Sequence, residues 1–276
     1  MPDLISIIEK WWKLIAGLTI VNSMLAFIVL LLMPKQYLSI ATALPASSVS
    51  ADKARIFNTN VQELYSSLGN PDDLDKIIGT ANLDTLYIAL VKENNLSKEY
   101  KNELAAAVTI KKNSKVIKSE YGELKIKVWN NDAKLAAALA NGLLQKLQQL
   151  HQSLQNQSNT LTLQKLQETY AALQNDFLVN TDSSKSIDLK KATVVSIKNK
   201  NLQERLNQYE KLIGEYQLVL NTNPPALLAV EHARVSVKPD KPKIWQTLLL
   251  TAFVSVVFGL LLAFFLQGRD GYEKHN

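Results

Sequence analysis

Leu14–Met33 reads LIAGLTIVNSMLAFIVLLLM, and Ile244–Leu266 reads IWQTLLLTAFVSVVFGLLLAFFL. Neither stretch holds a charged residue. At about 1.5 Å of rise per residue, each is long enough as a helix to cross the roughly 30 Å hydrocarbon core of a bilayer. Only Thr19, Asn22 and Ser23 interrupt the first, and Thr247, Thr251 and Ser255 the second. Neither therefore shows the polar stripe of a helix half-buried in a soluble core. The first run is longer than the roughly 7–15 apolar residues of a cleaved leader, and no small-residue cleavage site follows directly. Ala41-Thr42-Ala43 fits the letters of such a site but lies in a strand-like segment. Two uncleaved transmembrane helices are expected. Trp11, Trp12 and Trp245 stand where each span begins, which suits indoles in the headgroup layer. Pro34 should end the first helix, and Pro239 and Pro242 keep the chain extended before the second. Gly17 and Gly259 offer close helix packing, although neither belongs to a G-x-x-x-G pair.

Working outward, the sequence divides into a tail at 1–13, a span at 14–33, an α/β base at 34–130 and a helical arm at 131–222. A returning strand with its proline-bearing segment at 223–243, a second span at 244–266 and a tail at 267–276 complete it. Two spans place both tails on one side and residues 34–243 on the other. That loop carries 27 of the 31 basic and 21 of the 25 acidic residues, so the net charge of +6 belongs to it. The short flanks give no clear excess of Lys and Arg on either side, and the positive-inside rule does not choose an orientation. The fold class expected is α+β, with two terminal transmembrane helices flanking an α/β base and a long antiparallel helical hairpin.

Within the loop, Tyr37–Leu44 reads as a strand closed by Pro45, and Ala51–Leu68 as a helix. Asn70-Pro71-Asp72-Asp73 has the form of a helix start, with a capping Asn, a first-turn Pro and acids at the positive end of the dipole. Short helices are expected through Ile78 and over Leu83–Lys92 and Lys98–Ala106, then strands over Val108–Lys112 and Glu123–Trp129. In the last, Leu124, Ile126 and Val128 alternate with charged residues, as one buried sheet face requires. Asn131-Asp132 should cap a long helix from Ala133, with an apolar seam through Leu135, Leu139, Leu143, Leu147, Leu150 and Leu154. The seam resumes at Leu161, Leu166, Tyr170, Leu173 and Phe177. Thr181–Ser184 reads as a turn, and Val195, Leu202, Leu206, Tyr209, Ile213, Tyr216 and Leu220 form a second, heptad-like seam. Asn221–Pro225 should end that helix, and Ala229–Val237 should return as a strand.

Chemistry-bearing motifs are missing from this chain. It has no cysteine, so no disulfide, thiolate metal site or cysteine nucleophile is available. The three histidines, His151, His232 and His275, are far apart, and no phosphate-binding loop, nucleophile elbow, H-E-x-x-H or EF-hand loop occurs. Asp72, Asp73 and Asp75 fit a helix first turn better than a cation site. Lys111, Lys112, Lys115, Lys118, Lys125 and Lys127 read as a solvated face, with no nucleic-acid motif beside them. No cofactor, metal or catalytic residue is expected.

Four segments carry a family resemblance: Pro34-Lys-Gln-Tyr-Leu-Ser-Ile-Ala-Thr-Ala43, Leu124-Lys-Ile-Lys-Val-Trp-Asn-Asn-Asp132, the Ala-rich Leu135–Asn141, and Ala233–Lys243 with its prolines. In this order around two terminal spans, the chain resembles the chain-length determinant (Wzz-type) polysaccharide co-polymerases. The resemblance implies an inner-membrane protein with residues 34–243 in the periplasm and both tails in the cytoplasm. It also implies a ring-shaped homo-oligomer that sets the modal length of O-antigen, capsule or exopolysaccharide. Its partners would be a Wzy-type polymerase, the undecaprenyl-linked glycan and the lipid bilayer. The short C-terminal tail with its lone Tyr272 departs from members fused to a tyrosine kinase, and the loop is short beside many O-antigen regulators. On this reading Gln145, Gln148, Gln149, Gln152 and Gln155 offer glycan or polymerase contacts along the arm, and Pro34, Pro239 and Pro242 form a membrane-proximal motif. An adaptor role in a polysaccharide exporter is the alternative. A sensory receptor would need a signalling module that ten residues after Leu266 do not supply.

Overall fold

The computed structural model describes residues 4–46, 73–96, 100, 102–183 and 189–273. Its elements are α1 (Leu4–Leu32), β1 (Tyr37–Pro45), α2 (Asp73–Thr80), α3 (Asp84–Glu93), α4 (Glu103–Lys112), β2 (Ser114–Lys118) and β3 (Leu124–Asn130). They continue with α5 (Ala133–Ser183), α6 (Leu189–Thr222), β4 (Leu227–Glu231) and α7 (Ile244–Glu273). The chain divides into two compact units. One comprises Met1–Leu38, Trp129–Ala136 and Val235–Asn276, and the other Ser39–Val128 and Ala137–Arg234. The expected helix over 51–68 and the Asn70 cap lie outside the described residues.

In the first unit, α1 and α7 pack against each other in opposite directions. Ile15, near the start of α1, is buried with Ala263, near the end of α7, and Trp11 and Leu260 pack on that pair. Halfway along, the Asn22 side-chain amide donates to Ser255 Oγ at 3.2 Å. Gly259 makes the close approach possible, because a Cβ there would lie 3.2 Å from Ile15. Gly17 has open space around it and plays no such part. Among the described residues, the segments long and apolar enough to cross a membrane are Ile8–Leu32 and Ile244–Gln267. Most of their surface, including Leu32, Leu249 and Phe253, is uncovered by protein. Such apolar surface suits lipid and not water. The first helix starts at Leu4, ahead of the Leu14 read from hydropathy, because Lys10 and Lys13 interrupt apolarity without disfavouring helix. Trp12 and Trp245 are exposed as interfacial indoles require, whereas Trp11 is half-buried against α7.

The second unit is built on a four-stranded sheet in the order β2-β3-β1-β4, with β2/β3 and β1/β4 antiparallel. Alternation holds in β3, where Leu124, Ile126 and Val128 are buried. In β1, Ser39, Ala41 and Ala43 are buried while Ile40 and Leu44 are exposed. The β2–β3 hairpin closes through Ser119–Glu123. Ser119 Oγ accepts from the Tyr121 and Glu123 amides, and Gly122 takes the left-handed conformation at φ 75°.

Two expectations fail here. Val108–Lys112 is not a strand but the second half of α4, and the helix expected over Lys98–Ala106 is seen from Glu103, with residues 98, 99 and 101 outside the described residues. Asn102 caps it, its side chain accepting from the Ala105 amide at 2.7 Å, and the Asn113 amide closes it on Thr109 and Ile110. The β-branched Val108, Thr109 and Ile110 suggested a strand, but burial of Ala106, Ala107 and Ile110 on one face outweighs that propensity.

Asp132 starts α5 by accepting from the Lys134 amide. The helix runs 51 residues, about 76 Å, through Thr181–Ser183, so the turn expected at 181–184 does not begin there. Leu139, Leu143, Leu144 and Leu147 are buried with Ala136, Ala137 and Ala140. At Gly142 the helix lies so near α3 that a Cβ would meet the Leu90 side chain at 2.8 Å. Farther along, Leu154 and Leu161 are about half exposed, at 47% and 56%. Five residues join α5 to α6, and the residue after α6, Asn223, reaches Gln152 and Asn156 of α5. The two helices are therefore an antiparallel pair beyond that point, with Leu173, Leu202 and Val219 buried. Among the described second-seam residues, Leu206, Tyr209, Ile213, Tyr216 and Leu220 are only half-buried.

Candidate functional site

Two places hold the residues singled out in the sequence. The first is the arm. Gln145, Gln148, Gln149, Gln152 and Gln155 recur at spacings of three and four, so one side of α5 carries them all. They are not equivalent. Gln145 and Gln149 are exposed, while Gln148, Gln152 and Gln155 are half-buried. Gln152 Nε2 donates to the Asn223 carbonyl at 2.8 Å, and Asn156 Nδ2 donates to Asn223 Oδ1 at 2.8 Å. Asn223 itself stands at φ 42°, where Asn is tolerated best after Gly, and its amide bonds the Val219 carbonyl to finish α6. Gln152 thus has a structural task, tying the end of α6 to α5. At the preceding residue, His151 Nε2 and Thr80 Oγ1 are 2.7 Å apart, which fastens α2 to α5.

A neighbouring contact escaped the sequence reading. Asn141 Nδ2 donates to the Ala233 carbonyl, and its Oδ1 accepts the Ala233 amide at 2.7 Å. One side-chain amide thereby replaces a strand partner. Ser39 Oγ donates to the next carbonyl, Arg234 O. This explains why the strand expected over Ala229–Val237 is confined to Leu227–Glu231. Past Glu231 the extended chain is bonded by side chains, and Ala233 is buried while His232 is exposed. The only advance signal was an asparagine in an Ala-rich helix.

Of the sheet lysines, Lys115, Lys125 and Lys127 share one face with Ile117, whereas Lys118 stands opposite the buried Leu124 on the other. Lys115 lies opposite Lys127 across the hairpin, and Ile117 opposite Lys125. Lys125 pairs with Glu123 at 3.0 Å, and Lys111 with Asp84 at 2.8 Å. The Glu123 carboxyl is held below its usual range, chiefly by the hydrogen bond from Lys125 and then by that from Ser119. Burial, and then the Asp84 charge, push the Tyr87 phenol up to about 12. Among the described residues no group of three His, Asp or Glu could hold a metal ion.

The second place is the collar where α1 ends and α7 begins. Pro34 follows α1, and the Gln36 amide donates to Lys241 O at 3.0 Å. Gln36 O accepts from Asp240 at 2.8 Å and Lys241 at 3.2 Å. Trp129 fixes the returning strand of the collar. Its indole N–H donates to Asp240 Oδ2 at 2.7 Å, and the Lys241 ammonium lies 4.4 Å over its ring. Pro239 is exposed and Pro242, joined to Lys241 by a cis peptide bond, is half-buried.

No family model and no curated protein matches the chain. Solved structures similar to it include a full-length bacterial polysaccharide co-polymerase, 15% identical, with a TM-score of 0.41 over 100% of this chain and 99% of that one. A fragment of WzzB, a polysaccharide co-polymerase from Salmonella Typhimurium, is 15% identical with a TM-score of 0.39 over 75% of this chain and 100% of that one.

Proposed function

We propose that the chain is a polysaccharide co-polymerase of the chain-length determinant type, a regulator and not a catalyst. Residues 34–243 would lie in the periplasm of a bacterium, held by two spans in the inner membrane. The observation that carries the reading is the union, in one chain, of two lipid-suited helices at its ends with a sheet base and a long antiparallel helix pair. The segments that resemble the family support it by their placement: Pro34 and Ala233–Lys243 in and beside the collar, and Leu124–Asn141 running from β3 into α5. Leu154, Leu161 and Leu178, exposed along the distal arm, are suited to packing between copies in a homo-oligomer. Such an oligomer would scaffold a Wzy-type polymerase or engage the undecaprenyl-linked glycan. On the arm, Gln145 and Gln149 are the best placed for sugar hydroxyls, with Gln148 and Gln155 beside them and Gln152 committed to Asn223.

The test is a gel profile of surface and lipid-linked polysaccharide from a clean deletion strain complemented with this chain. Loss of a modal band on deletion, with polymer still exported and modality restored by the chain, is the expected result. Polymer trapped inside with intact modality would replace length control with export. No change in either would overturn the reading.

A further inference from the structure

The collar encloses a cleft of about 440 Å³, within the usual range of roughly 300–1,000 Å³ for small-molecule sites. Its lining divides in chemistry. Leu30, Met33, Pro34 and Pro242 give an apolar floor at the end of the spans, and Lys241 and Lys243 supply two cationic groups beside it. Lys35 is exposed next to this lining. Among the described residues no carboxylate pairs with Lys35, Lys241 or Lys243. The nearest acid in sequence, Asp240, accepts the Trp129 indole N–H at Oδ2 and does not line the cleft. The backbone bonds between Gln36 and Asp240–Lys241 hold the cleft open between two chain segments, and Trp129 holds the Lys241 ammonium in place.

A ligand matching this lining is anionic at one end and hydrocarbon at the other. It lies at the depth where lipophilic helix gives way to polar chain. We propose that the cleft binds the phosphate of a membrane phospholipid, with Lys241 and Lys243 on the phosphate and Leu30, Met33 and Pro242 against the glycerol and upper acyl chain. This rests on the reading of α1 and α7 as spans. The attraction of basic side chains to anionic headgroups adds per lysine and weakens with salt. Loss of two lysines should therefore lower lipid retention about thirtyfold.

The experiment uses the full chain reconstituted in nanodiscs of mixed phosphatidylcholine and phosphatidylglycerol, then extracted and weighed by native mass spectrometry. Failure to enter the nanodisc would overturn the span reading and this site with it. With insertion intact, the expected result is retained phosphatidylglycerol, reduced about thirtyfold by Lys241→Gln with Lys243→Gln. Lys10→Gln with Lys13→Gln, an equal charge loss at the opposite end of the spans, should leave retention unchanged. Met33→Trp, which fills the cleft without altering charge, should also release the lipid. Equal retention of both lipids, equal loss in the two lysine pairs, or binding of soluble glycerol phosphate without retained lipid would each overturn the proposal.

Discussion

The two halves of α5 share one helix and one leucine spacing, yet they live in different surroundings. From Ala136 to Leu147 the apolar face is closed over by the base, and Leu143 and Leu147 have no exposed surface. From Leu154 onward the same periodicity yields half-exposed leucines, and at Leu173 exposure falls to 8%. The 3.6-residue period therefore specifies a face and says nothing of how completely that face is covered. Coverage depends on what lies opposite: α3 at Leu90 in the first half, and a single companion helix in the second.

The sharpest way to break the contrast is to truncate a leucine in each half. Leu143→Ala should cost about 3 kcal/mol, since it removes buried methyl groups from a packed site. Leu161→Ala should change stability by less than about 0.5 kcal/mol. Urea titration of the full chain in detergent, followed by circular dichroism, measures both. Equal costs would mean that the distal leucines are covered as thoroughly as the proximal ones, by another copy of the chain.

Alkali probes the closed half from the other side. Tyr87 lies on α3, whose Leu90 meets α5 at Gly142, and its phenol keeps its proton to about 12. An unfolded tyrosine ionises near pH 10, so the unfolded chain sheds the proton first as pH rises. The Tyr87 contribution should be constant below about pH 10, and stability should fall by roughly 2–3 kcal/mol through pH 12. Tyr87→Phe should flatten that limb. A limb that persists in the variant would assign the alkaline loss to lysine deprotonation elsewhere.

Much of this architecture was legible in advance because it rests on long repeated patterns. The terminal spans, the alternation of Leu124, Ile126 and Val128, and the Asp132 start of α5 each draw on several residues that agree. What escaped rests on single side chains acting across the chain. Val108-Thr109-Ile110 looked like strand, and only the Asn102 and Asn113 caps with the Ser119–Gly122 turn would have moved the strand to Ser114–Lys118. Nothing local to Ala233 shows that Asn141, far away in sequence, supplies its hydrogen bonds. In the candidate site, the glutamine row was visible as a helical face, but the commitment of Gln152 to Asn223 required knowing where α6 ends.

Asn141 belongs to the closed half of α5, and Asn141→Leu should leave the Ala233 amide and carbonyl without partners. A loss of about 2 kcal/mol is expected. Amide exchange at Ala233 should accelerate well beyond that at Ala43, which keeps its strand partner in β4. Comparable protection at both positions would mean that water or a shifted chain replaces the lost bonds.

The smallest effect tests the boundary between the halves, at Gln152. Its hydrogen bond to the Asn223 carbonyl is partly wet, so Gln152→Ala should cost only about 1 kcal/mol. Gln149→Ala, whose side chain is exposed, should cost almost nothing. Their effects on polysaccharide length should run the other way. If the arm contacts glycan, Gln149→Ala shifts the modal band at unchanged stability and oligomer mass. Gln152→Ala should act on length only through looser closure of α6, and so in proportion to its loss of stability. A shift from Gln152→Ala alone would make the hairpin's closure, and not its polar face, the feature that length control depends on.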